Sequence, residues 1–197
     1  MNPLSAHRQI PLAEIFTLNL NMKKVYIKRT IIGIVSILTI GFLIPQSLKM
    51  PVKGATKTSY SQDSYWFYPW GKSITHKGVD IFAKNKTSIN SSTIGIVLFS
   101  GNIDLGGNVV YVLGPKWRLH YYAHLDEIKT SSFSFVSTST EIGTVGSSGN
   151  AVGKSPHLHY AIKTMIPYFW RIDKSKQGWK KMIFLNPIEY LNESFEN

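Results

Sequence analysis

Hydrophobic and polar residues divide the chain into a long apolar run, a polar stretch and a region of short apolar runs. The long run, residues 31–44, contains no charged residue and follows a cationic block at residues 23–29. At ~1.5 Å per residue a helix of this run is roughly 21 Å long, shorter than the ~30 Å hydrocarbon core of a bilayer. A cationic block before such a run is typical of a signal peptide or a short membrane anchor, and it disfavours a buried core helix.

A cleavable signal peptide ends in small residues at its cleavage site. The two candidate sites, residues 45–47 and 53–55, fit that pattern poorly, which favours an uncleaved anchor over a cleaved signal. In either case the positive-inside rule predicts that the remaining chain leaves the cytoplasm. Met22, directly before the cationic block, is an alternative start to Met1.

The rest of the chain predicts a linker followed by one β domain. Residues 1–49 are interpreted as a basic tail with the anchor or signal, residues 50–62 as a polar linker, and residues 63–197 as the domain. Short β-branched and aromatic runs predict strands at residues 78–82, 95–100, 108–113, 119–124 and 157–162. Dipeptides that begin with glycine predict turns at residues 101–102, 106–107 and 114–115, and residues 186–191 favour one helical turn. The predicted fold class is mainly β, a compact antiparallel sheet or barrel-like domain preceded by a helix.

Composition restricts the chemistry. The 197 residues include 22 Lys and Arg, 11 Asp and Glu, and no Cys. The lack of Cys excludes disulfides, thiolate zinc sites and a cysteine nucleophile, so a metal would be held by His, Asp or Glu. Up to residue 55 there are seven basic residues and one acidic residue, a net charge of +6 out of the total of +11. Because the excess is concentrated in this tail, we expect attraction to anionic lipids or wall polymers and no nucleic-acid partner.

Histidine and aspartate residues form three clusters that could share a metal ion. His157 and His159 alternate within a predicted strand, so their side chains share one face at about 6.5–7 Å. His76 and Asp80 flank a turn into another strand, and His124 ends a third strand. Each cluster alone has an ordinary structural interpretation, as a surface strand, a turn cap or a hydrogen-bonded histidine. Together they supply the three protein ligands that a catalytic zinc ion takes, with one position left for water.

These clusters resemble the three signature motifs of the lysostaphin-type (LytM-like, beta-lytic) zinc metallopeptidases. The resembling segments are His76 with Asp80, residues 122–125 and residues 157–159, and the likeness runs from about residue 68 to residue 191. The resemblance implies a small, mostly antiparallel β-barrel-like fold with a groove across the metal. It also implies that His76, Asp80 and His159 are zinc ligands.

The same resemblance implies that His124 and His157 are a catalytic pair beside the metal-bound water. One would act as general base and the other would stabilise the oxyanion, and the assignment between them stays open. His120 lies four residues before His124, so strand alternation places both on one face, and His120 is a candidate to support the site or contact substrate.

The implied function is a zinc-dependent endopeptidase that hydrolyses peptide bonds of bacterial peptidoglycan. We expect a single-pass inner-membrane protein whose catalytic domain lies in the periplasm or outside the cell, or alternatively a secreted protein. The alternative function is a catalytically inactive family member that binds and activates other cell-wall hydrolases. A protein regulator is left open. Residues 164–181 exceed what a minimal catalytic domain needs, and their aromatic and basic residues could line the groove, contact an anionic surface or be a packed extension.

Overall fold

The computed structural model describes residues 11–196, and contacts divide the chain into two units, residues 1–41 and residues 42–197. The first unit is dominated by helix α1, which spans Leu12–Leu43. The helix is longer than the apolar run because nothing between Pro11 and Pro45 breaks it. Among the described residues it is the one helix whose length and composition, over residues 19–43, suit a membrane span; a signal sequence or a core helix meets the same criteria.

The second unit is built on a nine-stranded sheet in which every pairing is antiparallel. This confirms the predicted fold class. The strands are β1 (Val79–Phe82), β2 (Ser88–Asn90), β3 (Gly95–Ile103), β4 (Gly107–Gly114), β5 (Arg118–Ile128), β6 (Phe135–Val136), β7 (Glu141–Val145), β8 (His157–Thr164) and β9 (Phe184–Leu185). A short helix, α2 (Pro187–Glu193), follows the last strand.

The order β1-β8-β5-β4-β3-β6 places the strands with the candidate ligands side by side, with β8 between β1 and β5. Asp80 on β1 lies opposite His159 on β8, and Ala123 on β5 lies opposite the same histidine. Residues directly opposite each other in a sheet project from the same face. The other face of β8 and β5 carries Tyr160 and Tyr122, which are fully buried in the hydrophobic core.

One predicted turn is wrong. The glycine at position 101 and the following asparagine do not end β3, because Gly101 pairs with Val109 and Asn102 with Asn108 on β4. The strand reverses only after Ile103, in the loop that leads to Gly107. Strands β2, β6, β7 and β9 had no counterpart among the strands predicted from the sequence.

The polar stretch at residues 50–62 is not a free linker, which corrects the sequence prediction. Val52 is 1% exposed and forms a β-bridge with Ile89, and Tyr60 donates a hydrogen bond of 2.7 Å to Oδ1 of Asn192. Just before this stretch, the amide of Lys49 donates to the carbonyl of Ser92. We call residues 46–60 the strap. The strap is part of the β unit, which therefore begins well before residue 63.

Candidate metal centre

Three polar atoms from β1, β8 and the turn before β1 converge at one point. Nε2 of His76 lies 3.1 Å from Oδ1 of Asp80 and 3.1 Å from Nδ1 of His159. Nδ1 of His159 lies 2.7 Å from the same carboxylate oxygen. The sheet register explains the second contact, since Asp80 and His159 are directly opposite each other. The structure thus brings together the three residues that the sequence proposed as ligands.

The turn between His76 and Asp80 depends on Gly78. A Cβ atom at this position would lie 2.5 Å from the carbonyl oxygen of Tyr160 and 2.8 Å from Cε1 of His159. Real Cβ atoms do not approach other atoms so closely, and one of the two contacts is with backbone. A glycine therefore allows the turn to bring His76 against the ring of His159.

The surroundings of His76 fix its orientation. Its Nδ1 lies 2.9 Å from the carbonyl oxygen of Ser64, to which it donates, and its ring stacks on Trp70 at a centroid distance of 4.2 Å. The neutral ring then carries its lone pair on Nε2, which faces Asp80 and His159. Such a hydrogen bond behind a ligating histidine is a common feature of metal sites.

The ionisation of the cluster suits a cation. Burial opposes ionisation of Asp80, but the close contacts of its carboxylate with His159 and His76 outweigh it and hold the pKa of the carboxyl well below its usual range. Burial lowers the pKa of His159, which favours the neutral ring despite the nearby carboxylate. One carboxylate and two imidazole nitrogens are a donor set that zinc accepts, so these residues fit the ion that the family resemblance implies.

His124 and His157 lie beside the cluster, and each forms the same kind of hydrogen bond to the backbone. Nδ1 of His124 lies 2.9 Å from the carbonyl oxygen of Ser148, and Nδ1 of His157 lies 2.8 Å from that of Ser155. Donation from Nδ1 leaves the lone pair of each neutral ring on Nε2. The two ring centroids are 5.1 Å apart, and Nε2 of His157 is 3.9 Å from Oδ2 of Asp80.

Burial, together with the charges of His159 and His157, lowers the pKa of His124 to about 4. His124 is therefore neutral near pH 7, with a basic nitrogen available to accept a proton.

The backbone at His124 turns its side chain toward the cluster. Strict alternation along β5 would place His124 on the core face with Tyr122, because Ala123 shares the face of His159. Instead His124 has a φ of +65°, and the pairing of β4 with β5 shifts register at this point. Its amide donates to the carbonyl of Gly106 at 2.9 Å, and its ring centroid lies 6.0 Å from that of His159.

The comparisons with known proteins agree with this geometry. The family model described as Peptidase family M23 matches residues 74–170, a range that contains all five of these side chains. This region of the chain belongs to the lysostaphin-type (LytM-like) peptidase family. Among curated relatives, the M23 region is similar to the peptidoglycan DD-endopeptidase ShyA of Vibrio cholerae, with 29% identity over 115 residues, which are 58% of this chain and 26% of that protein. The chain thus spans about a quarter of the length of this relative.

Two solved structures share the fold. The catalytic domain of lysostaphin from Staphylococcus simulans matches with a TM-score of 0.55 and 23% identity, over 69% of this chain and 95% of that chain. Csd3 of Helicobacter pylori matches with a TM-score of 0.51 and 27% identity, over 74% of this chain and 33% of that chain.

His120 does not belong to the centre, and the prediction that it shares a face with His124 is wrong. It is fully buried on the core side of the M23 domain, where Nδ1 lies 2.7 Å from the hydroxyl of Tyr160 and Nε2 lies 3.1 Å from Nε2 of Gln46. The left-handed backbone at His124 is the reason, because it reverses the side to which that one residue points.

A groove of about 490 Å³ is lined by Asp80, His124, His157 and His159, while His76 is buried. Its walls include large apolar and aromatic residues that the sequence analysis did not identify: Trp70, Phe82, Leu105 and Tyr121. Two of them could have been predicted from the alternation of side chains along a strand. Phe82 lies two residues after Asp80 on β1, and Tyr121 lies two residues before Ala123 on β5, so each shares the face of His159.

Proposed function

We propose that the protein is a zinc-dependent endopeptidase that hydrolyses peptide bonds of bacterial peptidoglycan. The observation that carries the proposal is the convergence of Nε2 of His76, Oδ1 of Asp80 and Nδ1 of His159 beside a groove that is also lined by His124 and His157. These three residues would hold the zinc ion. When bound, zinc lowers the pKa of water and polarises a carbonyl group, which is the chemistry that amide hydrolysis needs.

The remaining two histidines would handle the proton and the developing charge. His124 and His157 each donate from Nδ1 to a backbone carbonyl, which holds the rings in place and leaves Nε2 for the substrate side. One takes the proton from the attacking water, and the other donates a hydrogen bond to the oxyanion once it is protonated. Their similar environments leave the division of these two roles open.

The substrate class follows from the relatives and the groove. A curated relative is a peptidoglycan DD-endopeptidase, which supports wall peptides as substrates. The aromatic and aliphatic walls around the five side chains suit an extended peptide. With peptidoglycan as substrate, the M23 domain acts outside the cytoplasm, and we propose that α1 is the membrane anchor that holds it there.

Mass spectrometry of products from defined, cross-linked muropeptides tests this function. The zinc-loaded full chain is expected to release uncross-linked products, and the mass of the products identifies the bond. Removal of the metal with a chelator should abolish the release, and added zinc should restore it. Full activity in the metal-free protein would contradict the zinc mechanism.

Paired variants separate the metal ligands from the catalytic pair. His159→Ala should weaken zinc binding by roughly a hundredfold or more and abolish hydrolysis. His124→Ala should retain zinc and lower kcat by about 10²–10⁴-fold, the usual contribution of a general acid or base. Asp80→Asn should also lose tight zinc binding, and Asp173→Asn is its matched control, since Asp173 is a surface carboxylate paired with Lys181.

Tight zinc binding without hydrolysis of any wall substrate would instead identify the chain as a binding or activating module for other hydrolases.

A further inference from the structure

A ridge of exposed aromatic and aliphatic side chains lies in residues 165–182, which we call the aromatic–basic ridge. Phe169 is 66% exposed, Trp170 78% and Trp179 54%. Met165 and Ile172 are also exposed. None of these five residues lines the groove. Large apolar side chains clustered in so short a segment usually mark an interaction surface.

The ridge is strongly basic. It contains Arg171 and the lysines at positions 174, 176, 180 and 181 against one acidic residue, Asp173, a net charge of +4. Lys181 is paired with Asp173 at 2.5 Å, while Lys174 and Lys176 are exposed. Nζ of Lys180 lies 5.3 Å from the ring centroid of Trp179, so apolar and cationic groups are interleaved.

The ridge is held on the M23 domain by ordered contacts. The rings of Tyr168 and Trp170 are stacked at 5.0 Å, and the amide of Tyr168 donates to the carbonyl of Met182 at 2.8 Å. Tyr168 also packs against the hydrophobic core. Trp170 is therefore exposed on an ordered segment, and it loses little conformational entropy when a partner binds.

The first residue of the ridge, Met165, is linked to the first residue of the strap, Gln46, through hydrogen bonds to residues 117 and 118. The amide of Met165 donates to the carbonyl of Trp117 at 2.9 Å, and the next residue, Arg118, donates from its guanidinium to Oε1 of Gln46. Gln46 is the third residue after Leu43, the last residue of α1. Three residues span at most about 11 Å along the chain.

We propose that the aromatic–basic ridge docks on the surface of an anionic phospholipid bilayer. Tryptophan is favoured at the boundary between headgroups and acyl chains, and basic side chains are attracted to anionic headgroups. With α1 as the anchor, only residues 44 and 45 separate the helix from Gln46, so the domain that carries the ridge is tethered to the bilayer by a short connection. The inference goes beyond the proposed peptidase activity, and it takes α1 as the anchor.

Tryptophan fluorescence can test the docking on the full chain. All five tryptophans lie at residue 66 or beyond, and α1 contains none. The zinc-loaded protein is reconstituted in phosphatidylcholine vesicles with or without phosphatidylglycerol, with bromine on the acyl chains near the headgroups. We expect strong quenching in the anionic vesicles and much weaker quenching in the zwitterionic ones. Equal quenching, or none, in the two lipids would overturn the proposal.

Variants assign the effect to the ridge. Phe169→Ser with Trp170→Ser should abolish the lipid-dependent quenching of the remaining tryptophans, and Lys174→Glu with Lys176→Glu should lower docking roughly tenfold or more. Phe133→Ser with Phe135→Ser is the matched control, because these side chains are 78% and 82% exposed on and beside β6. That control should leave the quenching unchanged.

Loss of quenching in the control, or its persistence in the ridge variants, would contradict the assignment. Muropeptide hydrolysis in detergent reports the peptidase separately, so failure of docking and failure of the proposed function are distinguishable. If the ridge variants bind bilayers normally but lose affinity for anionic wall polymers, the ridge is a wall-binding surface and the membrane proposal is wrong.

Discussion

A Cβ atom at position 78 would lie 2.8 Å from the ring of His159 and 2.5 Å from the backbone of Tyr160. The carbonyl oxygen cannot move without disturbing β8, so the ring of His159 or the turn itself must shift. We predict that Gly78→Ala lowers zinc affinity by roughly 10–100-fold, the usual effect of disturbing the support of a ligand. Competition with a chromophoric chelator measures this affinity directly.

Gly153→Ala is the control for that prediction. Gly153 has a φ of +80° with open space around its Cβ position, so alanine strains the backbone without touching the metal centre. Its expected cost is about 1 kcal/mol of folding free energy with unchanged zinc affinity. Equal zinc affinity in the Gly78→Ala protein and this control would show that the close approach at Gly78 is unimportant.

His120 should make the folded state sensitive to acid. Burial, and secondarily the charge of Arg118, lowers the pKa of His120 to about 3 from an ordinary value near 6.5. Above pH 6.5 the side chain is neutral in both states and has no effect on the pH dependence. As the pH falls from about 6.5 to 3, the unfolded chain binds the proton and the folded chain does not, so stability falls by up to ~1.4 kcal/mol per pH unit.

His120→Gln removes this titration and retains a hydrogen-bonding side chain. Urea unfolding of both proteins between pH 7 and pH 4 measures the difference, and the variant is expected to lose less stability on acidification than the wild type. The buried histidines of the metal centre are the same in both proteins, so their titration cancels. Parallel losses of stability in the two proteins would contradict the prediction.

At the residue scale, simple spacing predicted the clusters that could share a metal ion, while the choice of His76, Asp80 and His159 as ligands came from the family resemblance. His157 and His159 share a strand face by alternation, and Gly78 marks the turn that brings His76 toward Asp80. The orientation of His124 was not predictable in this way. Its φ of +65° is rare for a residue with a side chain, and it accompanies a hydrogen bond from its amide to the carbonyl of Gly106. Alternation alone therefore placed His120, wrongly, on the side of the metal centre.

At the scale of elements, four of the five predicted strands are the long ones, β3, β4, β5 and β8, and the fifth is the four-residue β1. Strands β2, β7 and β9 are two to five residues long, and their sequences are too short to show a period. The strap was wrongly predicted to be a linker for a different reason. Its polar composition is typical of a linker, yet its backbone donates to the carbonyls of Ser88 and Ser92, and a few apolar side chains such as Val52 are enough to fix it.

Val52 tests how much the strap contributes. The side chain is 1% exposed and pairs with Ile89 across the sheet edge, so Val52→Ala should destabilise the M23 domain by about 2 kcal/mol. Ile94→Ala is the control, since that side chain is 51% exposed and its loss is expected to cost no more than about 0.5 kcal/mol. Urea midpoints of the full chain in detergent measure both effects. Equal midpoints for the two variants would show that the strap is a dispensable linker.

At the scale of the whole molecule, the candidate metal centre links strands that are far apart in the sequence. The proposed ligands come from the turn before β1, from β1 and from β8, and His76 and His159 are separated by 83 positions. A bound ion that favours the folded chain raises its stability by mass action. The stability of the β unit should therefore depend on the metal as well as on its hydrophobic core.

We predict that zinc at a hundred times its dissociation constant stabilises the domain by about 2.7 kcal/mol, which raises the melting temperature by roughly 5–10 °C. A chelator should reverse the shift in the wild type and have no effect on Asp80→Asn, which cannot bind zinc tightly. Asp173→Asn should respond like the wild type.

If chelation leaves the melting temperature of the wild type unchanged, zinc does not bind the folded state preferentially. The convergence of Asp80 with the two histidines would then be a hydrogen-bonded cluster, in which the carboxylate pairs with protonated imidazole. That cluster would weaken as the pH rises above the pKa of the imidazoles, because the neutral rings lose their charge. A zinc centre behaves oppositely, since protons compete with the metal for His76 and His159 at low pH. The sign of the pH dependence of melting, measured with and without zinc, therefore distinguishes the two.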